Sequence, residues 1–144
     1  MEQFFSFMKD GFVIIKEVSI ASSYDELNKV ESLITESCGD LGVNEDAYGN
    51  VLIAVTEAVN NAIEHGNKRL RGLSVSVMVG DNNDEFCYAI KDQGSGFDYN
   101  DLPDPTAPEN MLKENGRGVF LMRSLADEVV FSHGGSQVYI YFKK

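Results

Sequence analysis

The chain has 144 residues, 43% of them hydrophobic, enough for one buried core and too few for two comfortable domains, so residues 1–144 are read as a single domain. Lys and Arg number 12 against 23 Asp and Glu, a net charge of −11 that repels a phosphate backbone, excludes direct nucleic-acid binding from the expectations and favours a basic protein partner. Cys38 and Cys87 have no metal-like or redox-like spacing, the start MEQFFSFMKDGF lacks a basic leader with a long apolar core, and no membrane-length apolar run occurs, so the expectation is a cytoplasmic protein without a membrane span.

In chain order, FVIIKEVSI (12–20) is rich in β-branched residues and reads as a strand. Ser23 and Glu26 in SYDE form a capping-box pattern that opens a helix to about Cys38, with Gly39 as its stop. Asn44 caps a second helix that reaches about His65 and closes at Gly66. LSVSVMVG (73–80) alternates with period two, DNND turns, and EFCYAIKD (85–92) returns as a hairpin. Between Gly94 and Gly118 there is no periodicity, and Pro103, Pro105 and Pro108 forbid regular structure over much of it. A loop of that length in a small domain reads as a lid, over about 98–115. A helix resumes over 118–127, and EVVFSH and SQVYIYF pair around Gly134 and Gly135. The expected fold is α+β, a two-layer sandwich with helices on one face of a mostly antiparallel sheet.

VTEAVNNAIEHGN (55–67) carries the first chemical signal. At 100° per residue, Leu52, Val55, Val59, Ala62 and Ile63 form the core-facing stripe, and Glu57, Asn61 and His65 fall on the opposite side, flanked by Ala54 and Ala58. A solvated helix face usually carries Lys, Glu and Arg, whereas this one carries Asn and small Ala. Mg²⁺ needs one or two protein oxygens and fills its shell with phosphate and water, so Asn61 could suffice as a ligand, leaving proton acceptance to Glu57. Asn60, about 100° round the helix, is expected to tolerate replacement better than Asn61.

The glycines carry the second signal. Asp92 is the first polar group at a strand end in KDQGSGFD, followed by Gly94 and Gly96, and NGRGVFLM puts Gly116 and Gly118 where a helix begins and free amides can hold phosphate. No Rossmann fingerprint, P-loop or protein-kinase signature is present.

A helix with Glu-x-x-x-Asn-Ala, then strand-Asp-x-Gly-x-Gly-Phe, then a lid, then Gly-x-Gly at a helix start resembles the GHKL ATPase fold. Within it, VTEAVNNAIEHGN, DQGSGFD and ENGRGVFLMRSLADEV look most like the anti-sigma factor serine kinases, over roughly residues 12–142. The resemblance implies that Asn61 binds the Mg²⁺ bridging the ATP phosphates and that Glu57 is the general base. It implies that Asp92 accepts from the adenine amino group, with Gly94 and Gly96 allowing close approach to the base. Gly116, Arg117 and Gly118 would line the triphosphate under the lid. It further implies a sigma factor as partner, an anti-sigma factor antagonist phosphorylated on serine, and a homodimer.

This sequence departs from the family pattern at Gly135-Ser136, where Gly-Thr is usual and the Ser136 hydroxyl still serves, and at Glu114, where some members carry a basic residue. Phe4, Phe5 and Phe7 have no counterpart in it. Two other readings compete: a binding module in which ATP only shapes a partner-binding surface, and the detached catalytic domain of a histidine kinase. The second is weakened because no phosphoacceptor helix pair is present, and retention of Glu57 favours the kinase over the first.

Overall fold

In the computed structural model the described residues are 8–94 and 114–144, with side chains from residue 118 onward in the second span. Five strands, β1 (Val13–Ala21), β2 (Ser74–Asp81), β3 (Glu85–Lys91), β4 (Glu128–Ser132) and β5 (Gln137–Lys143), form one sheet in the order β1-β2-β3-β5-β4. Every neighbouring pair is antiparallel. Three helices, α1 (Leu27–Leu41), α2 (Glu45–Asn61) and α3 (Glu114–Leu125), accompany it. The α+β sandwich and all five expected strands are present. The lid interval, Gly96 and the Phe4, Phe5 and Phe7 cluster lie outside the described residues, except where α3 begins at Glu114.

The main core joins the helices to one sheet face through Ile34, Val55, Val59, Ile63, Val77, Tyr88 and Ile140, all at most 1% exposed. The opposite face is also covered. Met78, Cys87, Ala89, Tyr139 and Tyr141 form a second buried cluster, with Met8 and Phe12 packed on it. Phe12 meets the Tyr141 ring edge-on, and Lys9 places its ammonium 4.3 Å from the centre of that ring while its Nζ pairs with Glu128 at 2.6 Å. Segment 8–12 thus runs across the sheet before Gly11, at φ 86°, turns it into β1.

Several boundaries differ from the sequence reading for local reasons. Ser23 caps a 3₁₀ turn, Tyr24–Glu26, rather than α1, and the Glu26 carboxylate accepts from the Ala21 amide at 2.8 Å. The first helix passes through Gly39 and stops at Gly42, whose left-handed φ of 69° lets Val43 N–H reach the Cys38 carbonyl at 3.0 Å. Asn44 caps α2 as expected, its Oδ1 accepting from Ala47 N–H at 2.9 Å. Beyond Asn61 the helix widens into a π turn, Ala62–Gly66.

Asn67 fastens that turn to the sheet. Buried to 1% exposure, it accepts from Gln93 N–H at 2.7 Å and donates to the Ser74 carbonyl at 2.9 Å, linking the end of α2 to the start of β2 and the exit of β3. Asn67→Ala leaves a backbone donor and a backbone acceptor unpaired, so it should destabilise the protein by about 2–4 kcal/mol. The check is urea unfolding, with the midpoint lowered and the slope unchanged.

Candidate functional site

The second helix is buried on two sides. Ala54, Ala58 and Asn61, expected on the side opposite the core stripe, are 0%, 2% and 8% exposed, because α3 packs against that side. Between these helices lies a cleft of about 480 Å³. Its α2 wall carries Glu57, Asn60, Asn61, Glu64 and His65, and Tyr24, Gly118 and Leu121 complete it. The structure therefore joins Glu57, Asn61 and Gly118 in one space. Asn60 lines the same cleft, because positions i, i+3, i+4 and i+7 share one broad helix face.

The third helix starts at Glu114 rather than at 118, so Gly116 and Arg117 belong to its first turn and Gly118 comes after it. Only the first four amides of a helix lack an internal partner, so the Gly118 amide is not one of the free donors at the helix start. A Cβ at Gly118 would lie 3.0 Å from the Glu57 Oε2 and 3.3 Å from the Asn61 Nδ2. A bare Cα lets α3 approach the two polar groups of α2 this closely.

Asp92 forms the second half of the site, 4% exposed just beyond β3. Its Oδ1 accepts from Gly94 N–H at 2.8 Å, and its own amide donates to the Ser136 carbonyl at 2.9 Å. Gly66, read from sequence only as a helix stop, packs against this carboxylate so closely that a Cβ there would overlap it, and a Cβ on Gly94 would overlap the Gly66 carbonyl. Burial pushes the Asp92 carboxyl up to about 6, opposed by the Gly94 amide and by Lys91. Asp92 also borders a narrow cavity of about 10 Å³ lined by Asn61, Ala62, Ile90, Met122 and Ser136 among others, room for roughly one water. Asn61 lines both spaces and joins them. Ser136 has its hydroxyl turned to the His133 carbonyl at 3.0 Å, in a β4–β5 turn where His133, Gly134 and Gly135 all have positive φ.

The cleft rim holds a cluster that the sequence reading missed. Tyr24 donates to the Glu64 carboxylate, which also takes a two-point pair from Arg69 at 2.8 and 2.6 Å. These bonds hold the Glu64 carboxyl below its usual range, the Tyr24 hydroxyl first and Arg69 second. Glu64 was legible as the next turn after Glu57 and Asn60. Tyr24, 40 residues away from it in the chain, had no local signal.

The donor set suits a hard cation in part. Asn61 Nδ2 is buried with no hydrogen-bond partner, which leaves Oδ1, an oxygen of the kind Mg²⁺ takes, as the side-chain atom for the cleft. Among the described residues no group of three His, Cys, Asp or Glu could hold a metal. A cation here would therefore need oxygens from a ligand such as phosphate.

Asp92 yields a pH dependence. Its folded pKa lies above the unfolded value, so its contribution to stability is fully present below about 3.9 and is lost as pH rises through about 6. Asp92→Asn keeps the acceptor for Gly94 and removes the buried charge. It should raise the stability of the nucleotide-free protein at pH 8 by up to about 2 kcal/mol, with the gain shrinking towards pH 5. Thermal unfolding of both proteins across that range is the check.

Among the described residues no helix is long and apolar enough to cross a membrane. Residues 20–142 match the histidine kinase-like ATPase domain family. The chain is 37% identical over 95 residues to the serine-protein kinase RsbW of Bacillus licheniformis, covering 62% of this chain and 59% of that protein. To RsbW of Bacillus subtilis strain 168 it is 27% identical over 129 residues, covering 85% and 81%. RsbW of Staphylococcus aureus strain bovine RF122 / ET3-1 is 29% identical over 146 residues, covering 94% and 90%. The crystal structure of the RsbU and RsbW domains of Rv1364c from Mycobacterium tuberculosis superposes with a TM-score of 0.56 at 15% identity, over 90% of this chain and 32% of that one, a likeness of fold. With residues 20–142, most of its length, matching that family, the chain belongs to the histidine kinase-like ATPase domain family.

Proposed function

We propose that the chain is an ATP-dependent protein serine kinase that also acts as an anti-sigma factor, binding a sigma factor and phosphorylating a serine of an anti-sigma factor antagonist. The observation that carries the reading is the juxtaposition of the Glu57 carboxylate and the Asn61 amide on one cleft wall, both against Gly118 and one cavity away from buried Asp92. The relatives named as serine-protein kinases support the same class.

In this reading Asp92 accepts a hydrogen bond from the adenine amino group, Gly94 and Gly96 allow the base to approach, and the Ser136 hydroxyl lies at the same end. Gly116, Arg117 and Gly118 stand along the triphosphate, beneath a lid at about 98–115. Asn61 would hold Mg²⁺, which when bound supplies positive charge at the phosphate oxygens. Glu57 accepts the proton of the incoming serine hydroxyl. The surface supports protein partners of two kinds. A net charge of −11 favours a basic partner such as a segment of a sigma factor, and Val13, Ile14 and Ile15, exposed at 65%, 39% and 38% on the edge strand β1, offer apolar area for a homodimer. The reading places the protein in the cytoplasm.

Glu57→Gln keeps the shape and removes the base. It should leave ATP affinity within about tenfold, or ~1.4 kcal/mol, and sigma binding intact, while phosphoryl transfer falls by roughly a hundredfold to ten-thousandfold. Calorimetry and single-turnover transfer from labelled ATP to the antagonist, on the same preparations, measure both. Transfer at the unmutated rate would remove Glu57 as the base, and no transfer by the unmutated protein would remove the kinase reading.

Asn61→Ala should abolish the metal's contribution while the adenine end still docks. Nucleotide titrations with and without Mg²⁺ should then coincide for the variant and differ for the parent protein.

A further inference from the structure

Asn60 carries an observation that the nucleotide site leaves unused. Its side-chain Oδ1 is buried with no hydrogen-bond partner, yet the residue lines the open cleft. With the carbonyl turned inward, the amide NH₂ is the polar group left to face the cleft. It lies one turn beyond Glu57 and one turn before Glu64 on the same helix face. A helix gains nothing from this arrangement, since Asn is a weak helix former and an unpaired buried carbonyl is a cost.

The neighbouring residues narrow what that donor is for. An NH₂ group repels a cation, so Asn60 cannot share the role open to the Asn61 oxygen. Asn61 lines both the cleft and the cavity beside Asp92, whereas Asn60 lines the cleft and not that cavity. A neutral oxygen fits between the carboxylates of Glu57 and Glu64 better than an anionic phosphate oxygen does.

We infer that Asn60 is the residue that holds the acceptor serine hydroxyl in front of Glu57, its Nδ2–H donating to the hydroxyl oxygen. The inference rests on the reading of Glu57 as the base. In the step, the hydroxyl proton passes to the Glu57 carboxylate and the serine oxygen bonds to the γ-phosphorus. The bond from that phosphorus to the β–γ bridging oxygen breaks, and ADP leaves with the electron pair. Asn60 neither gains nor loses a proton. It fixes the direction of the hydroxyl so that the lone pair meets the phosphorus and the hydrogen meets Glu57.

The test uses the whole chain, labelled ATP and the anti-sigma factor antagonist of the same organism, with Asn60→Ala, Asn60→Asp, Asn60→Ser and Glu57→Gln compared. Asn60→Ala should lower single-turnover transfer about 10- to 100-fold at saturating ATP. ATP and ADP affinities should stay within twofold and the unfolding midpoint should be unchanged or higher, because the unpaired carbonyl is gone. Asn60→Asp, an acceptor of the same shape, should be at least as impaired, and Asn60→Ser, which restores a donor, should recover part of the rate.

Loss of transfer in Asn60→Ala, with Glu57 intact and these affinities and midpoints retained, supports the inference. If Asn60→Ala transfers at the unmutated rate while Glu57→Gln does not, the inference falls and the base reading stands. If neither substitution slows transfer, both fall. A selective loss of ATP over ADP affinity in Asn60→Ala would assign the residue to the γ-phosphate and overturn the inference, as would a lowered unfolding midpoint that accounts for the lost rate.

Discussion

The site depends on α2 being packed from two directions at once. Val55, Val59 and Ile63 are fully buried in the core beneath the sheet, and Ala54 and Ala58 bring α3 in on another side. Alanine at these positions sets a short distance between the two helices, and Gly118 shortens it further. Glu57, Asn60 and Asn61 stand where the two helices begin to part. Their backbone is fixed by core packing on one side, so their reach into the cleft is set by helix geometry rather than by loop conformation.

The other end of the site is set by backbone contact. Gly66, Asp92 and Gly94 interlock, and the Asp92 amide is tied to Ser136, so the end of the π turn, the exit of β3 and the β4–β5 turn meet at one carboxylate. Asn67 holds the same junction from the side through Gln93 and Ser74. The cavity beside Asp92 is far smaller than a purine. A base entering there would have to part Met122 of α3 from Ile90 and Val138 of the sheet. The same helix α3 thus carries Met122 at the Asp92 cavity and Gly118 against Glu57 and Asn61.

Much of this was legible in the sequence because its signals are local. The strands alternate or run apolar, Asn44 is a cap, and Glu57 and Asn61 are one turn apart, so periodicity alone puts them on one face. Asp92 was legible as a polar group at a strand end between apolar residues and glycine. The place of Asn60 on the cleft wall beside Asn61 has no sequence signal of its own, since a cleft between two helices spans more than a 100° step. The start of α3 was placed late because two glycines within three residues argue against helix, each at about 1 kcal/mol, and packing against α2 overrides that preference. Tyr24 and the close approach of Gly66 to Asp92 join segments far apart in the chain, and no local pattern encodes them.

The backbone interlock at Asp92 has a consequence for how the chain can diverge. Glycines fall into two populations here. At Gly39, Gly49 and Gly72 a side chain would meet open space, whereas at Gly66, Gly94 and Gly118 it would run into a carboxylate, a carbonyl oxygen or the Glu57–Asn61 pair. The first group is free to drift under mutation. At Gly66 and Gly94 a methyl group requires the opposing segment to move as well, and at Gly118 it requires the Glu57 and Asn61 side chains to give by a few tenths of an ångström. Lineages descending from this sequence should therefore carry Gly66 and Gly94 as a pair, with the end of α2 and the exit of β3 keeping their mutual spacing even where their surfaces have turned over completely.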